Sequence, residues 1–263
     1  MKLTKTHGSI NSKSFFIYSA ANTEYYELFA KSFINSILRN TSYKVHIHLF
    51  NPSPKLEILR DERVSYSHEI FPENYLIDLK KKYIKNQPIY ERKKHILRMM
   101  NLKNINKHDP IELIISEQIT KAYYACVRFI RLAEFVKNQS VLCLDIDCII
   151  RKNFKLDVKS EQLHIYGNPE FNDFKAGTIL ITENGHDFLN NFSNLLEQNI
   201  QNDYLYWFLD QDILNFIVPN YHYKLLNKSF IDWEFNEESI IWQAKGARKD
   251  NALFVNTQIN YLI

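Results

Sequence analysis

The run "VLCLDIDCII", residues 141 to 150, sets two carboxylates, Asp145 and Asp147, in an otherwise apolar stretch. Asp is depleted in strands and is seldom buried without a partner. Side chains two apart in a strand share a face, so the pair is expected to project together, with Ile146 turned away. Two close carboxylates repel, so one takes up a proton or a cation lies between them. A divalent ion held by one or two carboxylates and completed by phosphate oxygens is the usual magnesium arrangement, and manganese suits the same donors. Ligands of open α/β sheets bind beyond the carboxyl ends of strands, where this pair falls after the apolar "VLCL". The plainer alternative has both aspartates capping a turn and meeting solvent. His46 and His48 also share a strand face, but without a third ligand nearby they are read as two surface imidazoles. Cys126, Cys143 and Cys148 make an odd count without a framework spacing, as expected of reduced core thiols in a cytosolic protein.

Hydrophobic period supplies the elements that position these groups. "SFFIYSA" (Ser14 to Ala20) reads as a buried strand, and the next twenty residues put Tyr25, Leu28, Phe29, Phe33 and Ile37 on one helical face. "YKVHIHLF" alternates, with Val45, Ile47 and Leu49 inward, and "NPSP" ends it. Strand, helix, strand at this spacing opens a parallel α/β sheet. A second helix carries Ala122, Cys126, Phe129, Ile130 and Ala133 on one face and runs directly into "SVLCLDID". Strands at "LHIY", "GTILI" and "YHYKLL" and helices at "HDFLNNFSNLLEQN" and "DQDILNFI" complete the pattern. With 263 residues, 45% of them hydrophobic, the chain is expected to form one α/β domain over 1–263. Residues 80–108 read as a basic inserted segment: Lys80 to Lys107 holds ten Lys or Arg against the single acid Glu91. No apolar run reaches the roughly 18 residues of a spanning helix, and the polar N-terminus lacks a signal-peptide pattern.

"YYACVRFIRL" leading into "VLCLDIDCII" resembles the core of the GT-A glycosyltransferases, particularly glycosyltransferase family 8. Downstream, "FKAGTILI" is similar to the family's Phe-Asn-Ala-Gly segment, "DQDILN" to its Asp-Gln-Asp helix start, and "IWQAKGARK" to its C-terminal His-x-x-Gly-x-x-Lys segment. "FFIYSAANTEYY" is similar to the first strand and its base-holding loop. These pieces occur in family order from about residue 14 to 250. The resemblance implies a Rossmann-like GT-A fold, with a mixed, mainly parallel central sheet flanked by helices. It also implies transfer of a hexose from a UDP-sugar to a saccharide or lipid-linked glycan, with retention at the sugar carbon. By this likeness Asp145, Ile146 and Asp147 meet the donor, the two aspartates through Mn2+ or Mg2+. Ser19, Ala20 and Asn22 line the base pocket, and Arg128 contacts the donor sugar or diphosphate. Ala176 and Gly177 form the turn beside the sugar, and Asp210 and Gln211 act at or near the reacting carbon. Lys245, Gly246 and Lys249 clamp the leaving diphosphate.

Plainer roles stand beside these. Asn22 is also a good N-cap, "DQD" a good acidic helix start, and Arg128 a candidate partner for Glu134 on its own helix. The chain departs from the family pattern twice. Lys175 stands in place of the Asn, a cation beside the sugar. Gln243 stands in place of the metal-binding His, and an amide oxygen holds manganese less strongly than imidazole. Two other functions remain open on sequence grounds: a phosphatase-like hydrolase with Asp145 as nucleophile and Asp147 as general acid, and a glycan-binding protein without turnover. Polysaccharide or lipopolysaccharide biosynthesis fits the first reading, in the cytoplasm or at the inner face of a membrane. The basic stretch is expected to be a solvated face, with an anionic membrane or glycan as its alternative partner and no nucleic acid. If that alternative holds, replacing its lysines by glutamine will weaken acceptor or membrane binding and spare donor binding. Unchanged acceptor kinetics would count against it.

Overall fold

"FIYSAAN" lies at the centre of the protein because nearly all of its side chains are buried on both faces of a sheet. The computed structural model describes residues 3–12, 14–86, 111–156 and 161–263. In chain order these form β1 (Thr6–Gly8), β2 (Phe16–Asn22), α1 (Thr23–Tyr25), a π turn (Tyr26–Ala30), α2 (Lys31–Asn40), β3 (Lys44–Phe50) and β4 (Val64–Glu69). There follow α3 (Tyr75–Asn86), α4 (Ile111–Phe135), β5 (Val141–Leu144), β6 (Cys148–Ile150), β7 (Leu163–Asn168) and β8 (Asp173–Ile181). The last elements are α5 (His186–Gln201), α6 (Leu209–Ile217), β9 (Tyr223–Leu226), β10 (Ile231–Asp232), β11 (Ile241–Gln243) and α7 (Ala252–Asn260). The large sheet has the order β1–β4–β3–β2–β5–β8–β7–β9. Its centre is parallel, β2 with β3 and β5 and β3 with β4, while β8 runs antiparallel to β5 and β7. A small second sheet, β10–β11–β6, takes the chain on from β5. This is the expected mixed α/β sheet with helices on both faces.

One apolar layer joins α3, α4, α5 and α6 to the sheet. The other joins the α1–α2 region, the small sheet and α7 to the opposite face. Residues 87–108 of the expected basic segment lie outside the described residues, and residues 80–86 complete α3. Among the described residues no helix is long and apolar enough to cross a membrane.

Two expectations fail here for identifiable reasons. The face containing Leu28 is wrong: Leu28 is 54% exposed, and Tyr26 is buried instead. The buried row Tyr26, Phe29, Ala30, Phe33, Ile34 and Ile37 keeps helical spacing and includes the expected Phe29, Phe33 and Ile37; Leu28, two residues after Tyr26, falls off that row. Tyr26 Oη then reaches Tyr66 Oη at 2.9 Å and accepts from the Leu59 amide at 3.1 Å.

His46 and His48 are not surface imidazoles; both are fully buried, because α4 covers the second face of β3. They form a polar ladder across β3 and β4. His46 bonds Ser65 Oγ at 2.9 Å and Ser67 Oγ at 2.8 Å. His48 bonds the same Ser67 Oγ at 2.8 Å and Glu69 Oε1 at 3.3 Å. Arg131 closes the ladder with an ion pair to Glu69 Oε2 at 2.8 Å and also takes Glu134. Burial, then the neighbouring His48, pushes His46 down to about 3. Burial likewise lowers His48, despite the opposing pull of Glu69.

Between pH 6.5 and about 3 the unfolded chain therefore binds a proton at His46 that the folded chain refuses, and stability falls as pH falls. Glu69 acts in the same direction: burial alone would raise it, but His48 and Arg131 hold it below its ordinary value. We predict that urea unfolding at pH 5.5 gives a stability lower than at pH 7.5 by about 1.4 kcal/mol for His46 alone. The His46→Gln variant should show a shallower pH slope. An unchanged slope would remove His46 as its source.

Candidate active site

The two aspartates leave the sheet in a turn, not along a strand. β5 ends at Leu144, and the Asp145 amide still donates to Gly177 O at 3.0 Å. Cys148 N then donates to Asp145 O at 3.2 Å, closing a four-residue turn that carries the chain into β6. The expected alternation along one strand is thus corrected: the turn, not the pleat, aims the carboxylates. Ile146 is buried in the core, as anticipated.

Asp145 lies at the hub of the site. Arg128 Nη1 ion-pairs with its Oδ1, and Gln243 Nε2 donates to its Oδ2 at 2.6 Å. The second arm of the same guanidinium, Nη2, donates to Ala176 O at 3.2 Å and reaches Asp210 Oδ2 at 3.4 Å. Arg128 therefore takes no part in a pair with Glu134; that acid belongs to Arg131, three residues further along α4. Burial opposes a charge on Asp145, yet Arg128 holds its carboxyl below the ordinary range. Asp210 moves the other way: burial, then repulsion by Asp145, outweighs Arg128 and raises it. Asp147 is pushed up to about 6 by burial, with Lys249 opposing and the Asp145 charge assisting.

β8 and α6 hold the opposite wall. Ala176 N donates to Gln211 Oε1 at 3.2 Å, and Phe174 N donates to Asn215 Oδ1 at 2.8 Å. These two bonds fix the first two turns of α6, with the acids Asp210 and Asp212 at its start, against the strand. Negative side chains there are favourable with the helix dipole. The residue before the helix, Phe208, has φ 82°, a left-handed conformation unusual for a bulky side chain. Gly177 is required for contact: a Cβ there would lie 2.5 Å from both Asp145 Oδ2 and Gln243 Nε2.

Two lysines converge on an aromatic residue that local sequence did not single out. Lys175 ion-pairs with Asp173 and lies 5.8 Å from the centroid of Trp233; Lys245 Nζ lies 4.9 Å from it. Trp233 Nε1 donates to Gln243 Oε1 at 2.8 Å. The Gln243 amide is thereby used at both ends, nitrogen to Asp145 and oxygen to Trp233. Lys249 Nζ completes the cationic rim, 2.9 Å from Asp147 Oδ2 and 3.0 Å from Tyr25 Oη.

The site thus assembles Arg128, Asp145, Asp147, Ala176, Gly177, Asp210, Gln211, Gln243 and Lys249, with Lys175 and Lys245 joined through Trp233. Ser19, Ala20 and Asn22, expected to line a base pocket, occupy the end of β2. Asn22 Oδ1 accepts from Tyr25 N at 3.0 Å, so it does act as a cap, and Ser19 Oγ is buried with no hydrogen-bond partner. Gly246 has φ +61° with open space around it. Tyr25 and Trp233 were missed. Tyr25 reads as one more apolar helix residue, and Trp233 meets Gln243 only through the small sheet.

A divalent ion fits this donor set. Among the described residues no group of three or more His, Cys, Asp or Glu side chains is arranged to hold a metal. Two carboxylates completed by phosphate or water need no such group. Asp147 Oδ1 is buried without any hydrogen-bond partner, an orphaned acceptor of the kind a cation satisfies. For the Gln243 oxygen to join, its amide must turn over and release Trp233.

The close approach at Gly177 generates a prediction. The Gly177→Ala protein should lose about 1–3 kcal/mol in urea unfolding through overpacking. It should also lose any ligand binding that depends on Asp145. Wild-type stability and binding together would show that Asp145 and Gln243 are free to move aside.

No protein-family model matches the chain, and no curated protein matches it in sequence. Solved structures do match it. The galactosyltransferase LgtC, in complex with donor and acceptor sugar analogs, superposes with a TM-score of 0.52 at 13% identity, over 93% of this chain and 95% of LgtC. The glycosyltransferase GlyE of Streptococcus pneumoniae TIGR4 gives 0.52 at 16% identity, over 96% of this chain and 61% of GlyE. The bifunctional glycosyltransferase WbbM gives 0.57 at 13% identity, over 97% of this chain and 51% of WbbM. Together with the sheet order, these likenesses establish that the chain has the GT-A-type fold of glycosyltransferases.

Proposed function

We propose that the chain is a glycosyltransferase resembling family 8, moving a hexose from a UDP-sugar to a saccharide or lipid-linked glycan with retention. The observation that carries this reading is the Arg128 bridge between Asp145 and Asp210, which joins the turn after β5 to the start of α6. Three acids and four cations from distant segments meet there, on a fold that glycosyltransferases share. Placed at the end of the central parallel strands, they lie where open α/β sheets take ligands.

Each residue has a task set by its surroundings. Lys245 and Lys249 offer ammonium groups to the diphosphate, and Arg128 adds a guanidinium whose position Asp145 and Asp210 determine. Ser19, Ala20 and Asn22 line the base pocket; the unpartnered Ser19 hydroxyl is free to bond a polar base edge. Gln211, already tied to the Ala176 amide, faces the sugar hydroxyls, able both to donate and to accept. Asp210, buried beside Arg128, stabilises positive charge as it develops on the sugar carbon. Asp145 and Asp147 would hold Mn2+ or Mg2+, which when bound supplies charge to stabilise the departing diphosphate.

A thermal-shift screen of nucleotide sugars, with and without Mn2+, tests the proposal. Ligand at a hundredfold its Kd adds about 2.7 kcal/mol to native stability. UDP-sugars should therefore raise the melting temperature, and more so with Mn2+. The Asp147→Asn variant should lose the metal-dependent part of the rise. Absence of a shift with every nucleotide sugar would overturn the donor reading, and a metal-dependent rise kept by Asp147→Asn would overturn the ligand role.

A further inference from the structure

Asp147 is half satisfied. Its Oδ2 holds the Lys249 ammonium at 2.9 Å, while its Oδ1 is buried with no partner. Asp145 differs, since both of its oxygens accept from protein donors. From the same position Lys249 also meets two aromatic residues. Its Nζ lies 3.0 Å from Tyr25 Oη, 4.4 Å from the centroid of the Tyr25 ring and 5.2 Å from that of Phe29. Lys249 arrives on the short turn Gly246–Asp250, whose first residue has φ +61° and open space where a side chain would stand.

We infer that Lys249 is a place-holding cation: it neutralises Asp147 before a divalent ion binds and moves onto the donor diphosphate when the ion arrives. The inference rests on the donor and metal reading above. An ammonium and a divalent ion on one carboxylate repel each other, so the ion's entry favours the lysine's departure. A diphosphate bound at this site would offer anionic oxygens, and the flexible four-carbon stem of Lys249 would let its ammonium reach them. Tyr25 Oη is a partner that Lys249 already has when Asp147 is released. Because Tyr25 N is capped by Asn22 at the end of β2, the lysine also stands next to the base pocket. Ion and nucleotide binding are then coupled through one side chain, and such coupling is reciprocal.

Mn2+ binding measured by the electron paramagnetic resonance signal of free Mn2+ tests this, with and without UDP, in the wild type and in Lys249→Met. Without its internal competitor, the variant should bind Mn2+ about tenfold more tightly than the wild type in the absence of UDP, within the 5- to 150-fold span usual for coupled sites. It should bind UDP more weakly, and UDP should tighten its Mn2+ binding less. Lys249→Gln, a neutral polar replacement, repeats the test should the methionine variant not fold, with a thermal melt as the check. If the wild type binds Mn2+ with UDP but neither variant binds Mn2+ more tightly alone, the place-holding role is overturned while the donor reading stands. If the wild type binds neither Mn2+ nor UDP, the donor and metal reading falls and takes this role with it.

Discussion

Arg128 is the constraint on which the site depends. Its guanidinium sits between half-buried Asp145 and buried Asp210, which would otherwise repel, and its other hydrogen bond goes to the backbone of Ala176. Burial works against a charge there, but Asp145, Cys143 and Asp210 together raise its affinity for the proton above that of a free arginine. Removing one partner from such a cluster leaves a buried charge uncompensated, which is far more costly than an exposed pair is valuable. The backbone carbonyl of Arg128 is held as well, accepting from Tyr18 Oη at 2.9 Å in the central strand. The side chain is therefore placed from both ends.

The small sheet has a matching function. β6 and β11 pair so that Gln243 lies opposite Cys148, directly after the acidic turn. Ala244 N donates to Asp147 O at 3.1 Å and continues that pairing by one residue. Without this sheet the C-terminal lysines would have no defined distance from the aspartates. Its interior is apolar, with Ile149, Ile150, Ile241 and Trp242 buried, so hydrophobic burial sets the position of a polar site.

Much of this was legible in sequence where the signal was local. The Asp-x-Asp pair, the helix carrying Arg128 and the order of strands and helices all rest on short-range patterns. Cys126, Cys143 and Cys148 are free and buried, as their apolar neighbours implied. What escaped was non-local or out of period. Leu28 falls off the buried helical row, which runs through Tyr26, Phe29 and Phe33 instead. The polar face of β3 looked exposed because nothing in "YKVHIHLF" announces that Ser65, Ser67, Glu69 and Arg131 will cover it. Trp233 joins the site through a pairing of two-residue strands that no periodicity reveals. The turn at Asp145 stood only as the alternative to strand alternation, because its closing bonds involve only backbone.

The helix that carries Arg128 carries Arg131 one turn later, and each is fastened to a different acid. Arg128 is held at Asp145 and Asp210, Arg131 at Glu69 on β4, two strands away from β2. α4 is thus keyed like a shaft at two places along its length and cannot rotate without disengaging both. The anchor on β4 thus bears on the same helix as Arg128, from a side of the molecule remote from the aspartates.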